Sequence, residues 1–257
     1  MYNMEGISLP IDLTKIKTIG ELVSISKWLE GKTLHDIEAS IKDEDKKSRI
    51  KTKGDVGYAI EHGFYGIEKN SSHGPDIPSL GVEIKTVPLK WINDKSLLTV
   101  KEPLSLNMID YIEESKNKKL TDSYLYKKNH NILFVLYIHD KSKKRSDYII
   151  KYVFLWTMNA DVVSELEEDY QKILTKIMEG KAHKIHQKDN TYLTLCPKHN
   201  GIFNNPNDKK SKRKQPFSNE PAELRAFRLK RYYMNLIVSR CLNKELINRG
   251  RSYGWVP

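Results

Sequence analysis

Residues 75–85 read Pro75-Asp76-Ile77-Pro78-Ser79-Leu80-Gly81-Val82-Glu83-Ile84-Lys85. In extended backbone, successive side chains point to opposite faces, so Val82 and Ile84 share an apolar face and Glu83 and Lys85 share a polar one. Pro78 and Gly81 place a turn between Asp76 and this strand, and that turn can return the Asp76 carboxylate beside Glu83. Two carboxylates and an ammonium converging on one point suit metal-assisted phosphodiester hydrolysis. Hard oxygen ligands hold Mg2+, which lowers a water's pKa and offsets phosphoryl charge. The lysine orients the attacking water or stabilises the transition state.

The elements on either side are legible from their periodicity. Upstream, Thr18 with Glu21 makes a capping box ahead of Leu22, Ile25 and Leu29 at helical spacing. Gly31 ends that helix, and Thr33 with Asp36 opens another carrying Leu34, Ile37 and Ile41. Residues 42–53 are polar and charged, an exposed connection; 55–67 resume a helix on Val56, Ala59, Ile60 and Phe64, with Glu61 beside that face; 69–78 form a loop. Downstream of the strand at 80–87, residues 131–139 and 148–156 are near-continuous runs of β-branched and aromatic residues, the pattern of a buried sheet. Asn159 caps a helix reaching Met178, with Leu166, Tyr170, Ile173, Leu174 and Ile177 in one stripe. A strand is expected at 192–196, a polar basic loop at 200–219 and a last amphipathic helix at 232–246. No period of 20–50 residues repeats. This order predicts an α/β (α+β) fold, a mixed central sheet flanked by helices around one core.

The chain has 257 residues, 39% hydrophobic and 30% charged, with a mean hydropathy of −0.61. No apolar run approaches the ~20 residues that span a bilayer, and the opening residues lack the basic and apolar regions of a signal peptide. Two cysteines, Cys196 and Cys241, make no disulfide framework and suit a reducing cytosol, so a cytoplasmic protein is expected; Cys241 reads as a buried small hydrophobe. Membrane, secreted and fibrous classes are excluded. The net charge is +11, and its distribution is informative: residues 181–257 carry 17 basic and five acidic side chains, the remainder 27 and 28. A positive surface concentrated in one third of the chain attracts a polyanion through phosphate contacts and counterion release. The competing reading is a solvated face kept for solubility.

The spacing D-x6-E-x-K is expected about 0.14 times by chance in this composition, and its setting strengthens it: Asp in a loop, Glu and Lys on an alternating strand, a basic third to follow. This is the chemistry of the PD-(D/E)xK nucleases. A competing constellation, His183-x2-His186 with Cys196-x2-His199, has zinc-ligand types and spacings. A β-hairpin arm there would turn the two histidines apart, and basic surroundings oppose a cation.

Residues 54–90 (GDVGYAIEHGFYGIEKNSSHGPDIPSLGVEIKTVPLK) resemble the MutH endonuclease family, which includes the mismatch-repair nickase and the GATC-cutting type II restriction enzymes. The resemblance continues through 126–140, 179–185, 190–198 and 215–237, with the restriction branch closer. It implies a PD-(D/E)xK restriction-endonuclease-like fold in a single domain, with a catalytic arm at about 1–125, a sheet-completing and basic recognition arm at about 126–257, and DNA in the cleft between. It implies metal-binding carboxylates at Asp76 and Glu83, the catalytic lysine at Lys85 and a helical carboxylate at Glu61. A further family lysine has no secure match and falls near His130, Lys127 and Lys128. DNA contacts are expected from Lys198, Arg225, Arg228, Lys230, Arg231 and Tyr232, and from Lys209, Lys210, Lys212, Arg213 and Lys214 of the basic loop, with base reading from Lys230, Arg231 and Tyr232. The implied cofactor is Mg2+, with Mn2+ as substitute and no organic group. The implied partners are double-stranded DNA, a second copy of the chain on DNA, and a cognate DNA methyltransferase linked genetically. Two other functions stay open: a mismatch-repair nickase, and a DNA-binding effector module without cleavage.

Overall fold

The computed structural model describes residues 9–41, 56–68, 74–92, 96–198, 212–250 and 252–257. In chain order the main elements are α1 (Ile19–Ser26), α2 (Leu34–Ser40), α3 (Val56–Tyr58) running on as a π-helix (Ala59–Phe64), β1 (Val82–Ile92), β2 (Leu97–Val100), β3 (Leu104–Met108), α4 (Tyr111–Glu114), α5 (Tyr124–Asn129), β4 (Asn131–Ile138), β5 (Ile150–Thr157), α6 (Ala160–Met178), β6 (Leu193–Pro197), β7 (Lys212–Gln215), β8 (Ser218–Glu223), β9 (Arg225–Leu229), α7 (Arg231–Cys241), β10 (Ile247–Asn248) and β11 (Tyr253–Gly254). Two compact units result: Met1–Lys101 with Asn131–Thr157 and Val238–Pro257, and Glu102–His130 with Met158–Ile237.

The first unit is built on a four-stranded mixed sheet in the order β2-β1-β4-β5. β1 and β4 run parallel, with Glu83 opposite Ile132 and Lys85 opposite Phe134, and the other pairings are antiparallel. The expected mixed sheet flanked by helices is present. β4 has a strand on each side and buried residues on both faces, which is why Ile132–Leu136 is an unbroken apolar run. Val82, Ile84, Leu133, Val135 and Val153 form one face, covered by Leu22, Leu29, Ile37, Ile60 and Phe64 from the helices. Both capping boxes are formed: the Thr18 and Thr33 hydroxyls accept from the Glu21 and Asp36 N–H groups, and those carboxylates accept in return from the cap backbones. Each such cap is worth about 1 kcal/mol.

Two boundaries differ from the sequence reading. β1 does not stop before Pro88 but continues to Ile92. The Pro88 carbonyl accepts from Lys101 N–H on the side away from β4, so the missing proline N–H removes no bond of the β1–β4 ladder. β2 pairs with β1 only from Leu89 onward, so among the described residues 83–87 have a strand neighbour on the β4 side alone, and Val82 is bridged on the other side by Ile77. The last helix ends at Cys241 rather than running to 246, because Asn243 takes a left-handed φ of 50° and the chain turns into the β10–β11 pair. Cys241, expected to be buried, is exposed there.

In the second unit β3, β9 and β6 form an antiparallel sheet in the order β3-β9-β6. α6 starts at its Asn159 cap and ends at Met178 as the stripe predicts. The stretch 200–219 is not one loop: residues 212–215 and 218–223 pair as an antiparallel hairpin, a register that the lysine-rich composition conceals. Residues 199–211, with Lys209 and Lys210, lie outside the described residues, as do the connection at 42–53 and part of the loop at 69–78.

Candidate active site and nucleic-acid contacts

The turn between Asp76 and β1 is closed by its own backbone. Ile77 N–H donates to Val82 O at 2.9 Å and Val82 N–H to Ile77 O at 3.2 Å, while Gly81 N–H reaches Pro78 O at 3.2 Å. Gly81 sits at φ +62°, in the left-handed region that glycine adopts without a Cβ penalty. Pairing Ile77 with Val82 brings Asp76 beside Glu83. Asp76 N–H donates to Glu83 Oε2 at 3.2 Å, and Asp76 Oδ2 accepts from Ile84 N–H at 2.8 Å. On the other oxygen, Glu83 Oε1 accepts from Lys85 Nζ at 2.5 Å. The structure therefore brings Asp76, Glu83 and Lys85 together as one hydrogen-bonded set.

Burial sets the electrostatics of this set. Glu83 is 2% exposed, whereas the Lys85 side chain keeps 22% of its surface and Asp76 is half-buried. A buried carboxylate needs a charged or hydrogen-bonding partner on each oxygen, and Lys85 and the Asp76 N–H supply them. With both carboxylates ionised and one ammonium, the set carries one net negative charge. This donor set fits Mg2+, which binds through one or two carboxylates, keeps several waters and completes its shell with substrate phosphate. When bound, such a cation acidifies a water and offsets phosphoryl charge. Glu61 lies on the π-helix, whose Ala59, Ile60 and Phe64 pack in the core with Val82 and Ile84; among the described residues no three acidic, histidine or cysteine side chains gather for a metal.

Among the described residues the zinc constellation is not assembled. His183 is on a short 3-10 turn, not a hairpin arm, with Nδ1 2.9 Å from Gln215 Nε2 and Nε2 3.1 Å from Glu220. His186 is exposed, Cys196 is buried, and His199 lies outside the described residues. Lys127 and Lys128 end α5, and the His130 ring lies 4.9 Å from Tyr126.

The expected DNA contacts of the second unit fall at two ends of its sheet. At one end Pro197 pairs with Arg225, Lys198 N–H donates to Leu224 O, and Lys198 Nζ donates to Ser105 Oγ at 3.0 Å. The β7–β8 hairpin joins the sheet here, with Lys212, Arg213 and Lys214 exposed. At the other end Leu193 pairs with Leu229; Lys230, Arg231 and Tyr232 follow, and Tyr192 stacks on Tyr233 with ring centroids 4.7 Å apart. The five residues of β9 separate these ends by about 13 Å. Arg228 is half-buried between them, opposite Thr194 and Ser105. Arg225 is 5% exposed and its guanidinium bonds Ile185 O and Glu223, so the structure gives this cation internal partners. Lys230 Nζ donates to Asn190 O.

The sequence reading missed Asp169. It is 2% exposed on α6, and its carboxylate accepts three successive backbone N–H groups, from Thr191 at 2.7 Å, Tyr192 at 2.5 Å and Leu193 at 2.9 Å. It thereby fixes the turn that carries Tyr192 and receives Lys230. The signal was its place among Leu166, Tyr170 and Ile173, where an unpartnered carboxylate could not remain buried.

Comparison with known proteins places this geometry. Residues 65–169 match the family model for the DNA mismatch repair enzyme MutH. The DNA mismatch repair protein MutH of Buchnera aphidicola is 30% identical over 173 residues, 66% of this chain and 75% of that protein. The chain belongs to the MutH family. Its MutH match takes in Asp76, Glu83 and Lys85 and leaves Glu61 outside. The type II restriction enzyme Sau3AI of Staphylococcus aureus is 33% identical over 189 residues, 73% of this chain; the matched segment spans only 37% of that relative's length. The MutH of Escherichia coli (strain K12) is 23% identical over 188 residues, 72% of this chain and 78% of its own length. MutH membership agrees with the mixed sheet of the PD-(D/E)xK-like fold, and no helix among the described residues is long and apolar enough to cross a membrane.

Proposed function

We propose that the chain is a Mg2+-dependent, site-specific double-stranded DNA endonuclease of the type II restriction kind, acting in the cytoplasm at GATC or a related short site. The hydrogen-bonded set of Asp76, Glu83 and Lys85 on β1 carries the reading. Asp76 and Glu83 hold the cation, with Mn2+ as substitute and no organic cofactor. Lys85, already 2.5 Å from Glu83, holds an ammonium where it orients the attacking water and offsets charge on the phosphoryl oxygens. Glu61 supplies the helical carboxylate, whose removal is expected to cost activity only in part. Lys198, Arg228, Arg231 and Tyr232 with Lys212, Arg213 and Lys214 supply DNA contacts, and Arg225 and Lys230 support them from internal hydrogen bonds. Two copies on one palindrome cut both strands, and a methyltransferase protecting the same site is the genetic counterpart. The identity to Sau3AI supports this reading.

The test is digestion of unmodified and adenine-methylated plasmid, with mapped ends, with and without Mg2+. Linear product without any partner protein is the expected result; nicked circles alone favour a mismatch-repair type of strand nicking, the reading supported by the identity to Buchnera MutH. Asp76→Asn and Glu83→Gln are expected to abolish cleavage while sparing DNA affinity. Binding without cleavage by the parent chain under all divalent cations overturns the enzyme and leaves a DNA-binding module.

A further inference from the structure

The β7–β8 hairpin is closed by Gln215-Pro216-Phe217-Ser218, with Gln215 paired to Ser218. Proline in the second place and a positive φ in the third is the pattern of a type II turn, whose third place favours glycine or asparagine. Here it holds Phe217 at φ 60°, and the ring is 69% exposed, the most exposed large hydrophobic side chain among the described residues. A bulky residue in the left-handed region is a genuine outlier, and such strain clusters at functional sites. Neither burial nor backbone preference within the chain accounts for phenylalanine at this position.

The backbone beneath the ring is held firmly. Gln215 is 5% exposed; its Oε1 accepts from Ala182 N–H at 2.8 Å, and its Nε2 donates to Glu220 O. Gly180, at φ +67°, lies directly under the Phe217 carbonyl, where a Cβ would collide with it. The ring is thus presented on a fixed support, so little ordering entropy is lost when it meets a ligand. Charge indicates what that ligand is. Lys212, Arg213 and Lys214 are exposed along β7, while both β8 carboxylates face cations or a histidine, Glu220 at 3.1 Å from His183 and Glu223 at 2.8 Å from Arg225.

We propose that this hairpin is a DNA-wedging element: Phe217 inserts against a base step of the duplex while Lys212 and Lys214 bind the flanking phosphates. It rests on the reading of the chain as a DNA endonuclease. Aromatic side chains stack on any base, and apolar wedges unstack duplex steps in many architectural proteins. The cationic strand selects a polyanion over an apolar protein partner.

The experiment uses the full chain without divalent cation, on cognate and scrambled duplexes carrying 2-aminopurine at successive positions. Phe217→Gly is the variant, because glycine takes the positive φ without strain and its urea midpoint should match or exceed the parent's. The parent is expected to raise 2-aminopurine fluorescence at one or two steps. Phe217→Gly is expected to abolish that rise and weaken both duplexes about tenfold. Lys212→Ala with Lys214→Ala should reduce the salt slope by about two and keep the fluorescence rise at saturation. If Phe217→Gly binds and perturbs 2-aminopurine as the parent does, the inference fails alone. It also fails alone if this variant changes only self-association, since the ring then serves a protein contact. If the parent binds no duplex, the endonuclease reading falls and the inference falls with it.

Discussion

Lys85→Met isolates the ammonium from the rest of the site. The Nζ–Oε1 separation of 2.5 Å corresponds to a gross attraction of about 7 kcal/mol at an effective dielectric of about 20. Desolvation of Glu83, which is 2% exposed, offsets much of this. Removing one partner of a buried pair costs about 3–5 kcal/mol, chiefly for the charge left behind. Because 22% of the Lys85 side chain reaches solvent, the cost is expected at or just below the bottom of that range, about 2–3 kcal/mol. Urea unfolding of parent and variant in chelator should show this loss with an unchanged slope. The same titration in excess MgCl2 should show a smaller deficit, since a cation beside Glu83 supplies the missing charge. Cleavage of supercoiled plasmid should fall at least about 10²-fold in Mg2+. A stability loss under 0.5 kcal/mol would mean that Glu83 does not depend on Lys85. Cleavage within tenfold of the parent would refute the assigned role of the lysine in the chemistry.

Three further outcomes are expected. Asp169→Asn leaves one acceptor oxygen for three N–H donors and should cost about 2–4 kcal/mol in urea unfolding; an unchanged midpoint would show that the 190–193 turn is held by other contacts. Burial raises the Glu114 carboxyl above its ordinary 4.5, outweighing its bonds from Tyr170 and Asn117. The folded chain therefore binds that proton more tightly than the unfolded one, and this contribution to stability is present below about pH 4.5 and lost as pH rises through the raised value. Glu114→Gln should flatten that fall, measured as the urea midpoint from acid to neutral pH. Arg231→Ala should weaken the cognate duplex by about 1–3 kcal/mol and scrambled DNA little, as read by anisotropy; equal loss on both would assign Arg231 to phosphate.

The sequence showed the grouping of Asp76, Glu83 and Lys85 because its determinants are local. A six-residue turn with glycine at its end and a period-two strand suffice to bring Asp76, Glu83 and Lys85 together, and both need only neighbours in the chain. The capping boxes at Thr18 and Thr33 and the Asn159 cap were legible for the same reason. Pro88 misled the reading of β1, because which side of a strand faces a neighbour is a tertiary fact. The β7–β8 hairpin was hidden by charge, since Lys212–Lys214 lack the alternation of a half-buried strand and, among the described residues, pair with β8 alone. Arg225 and Asp169 show the corresponding limit for sites: a charged residue in a basic or amphipathic segment looks solvated until its long-range partners are known.

The one-sided stretch of β1 has a practical consequence. Beyond the Ile77–Val82 bridge, no strand among the described residues pairs with 83–87 on the side away from β4, and the Ile84 N–H on that side is satisfied by the Asp76 carboxylate. The same oxygen set proposed for catalysis thus also blocks an open sheet edge, the kind of surface on which a second chain can add as a strand and seed aggregates. Cutting Asp76 back to alanine leaves the Ile84 N–H on that edge without this acceptor, so low solubility in such a preparation is expected to come from the edge and not from any lost chemistry. Asparagine keeps an oxygen for the Ile84 N–H, which makes it the better choice wherever a silent enzyme must remain monodisperse on DNA.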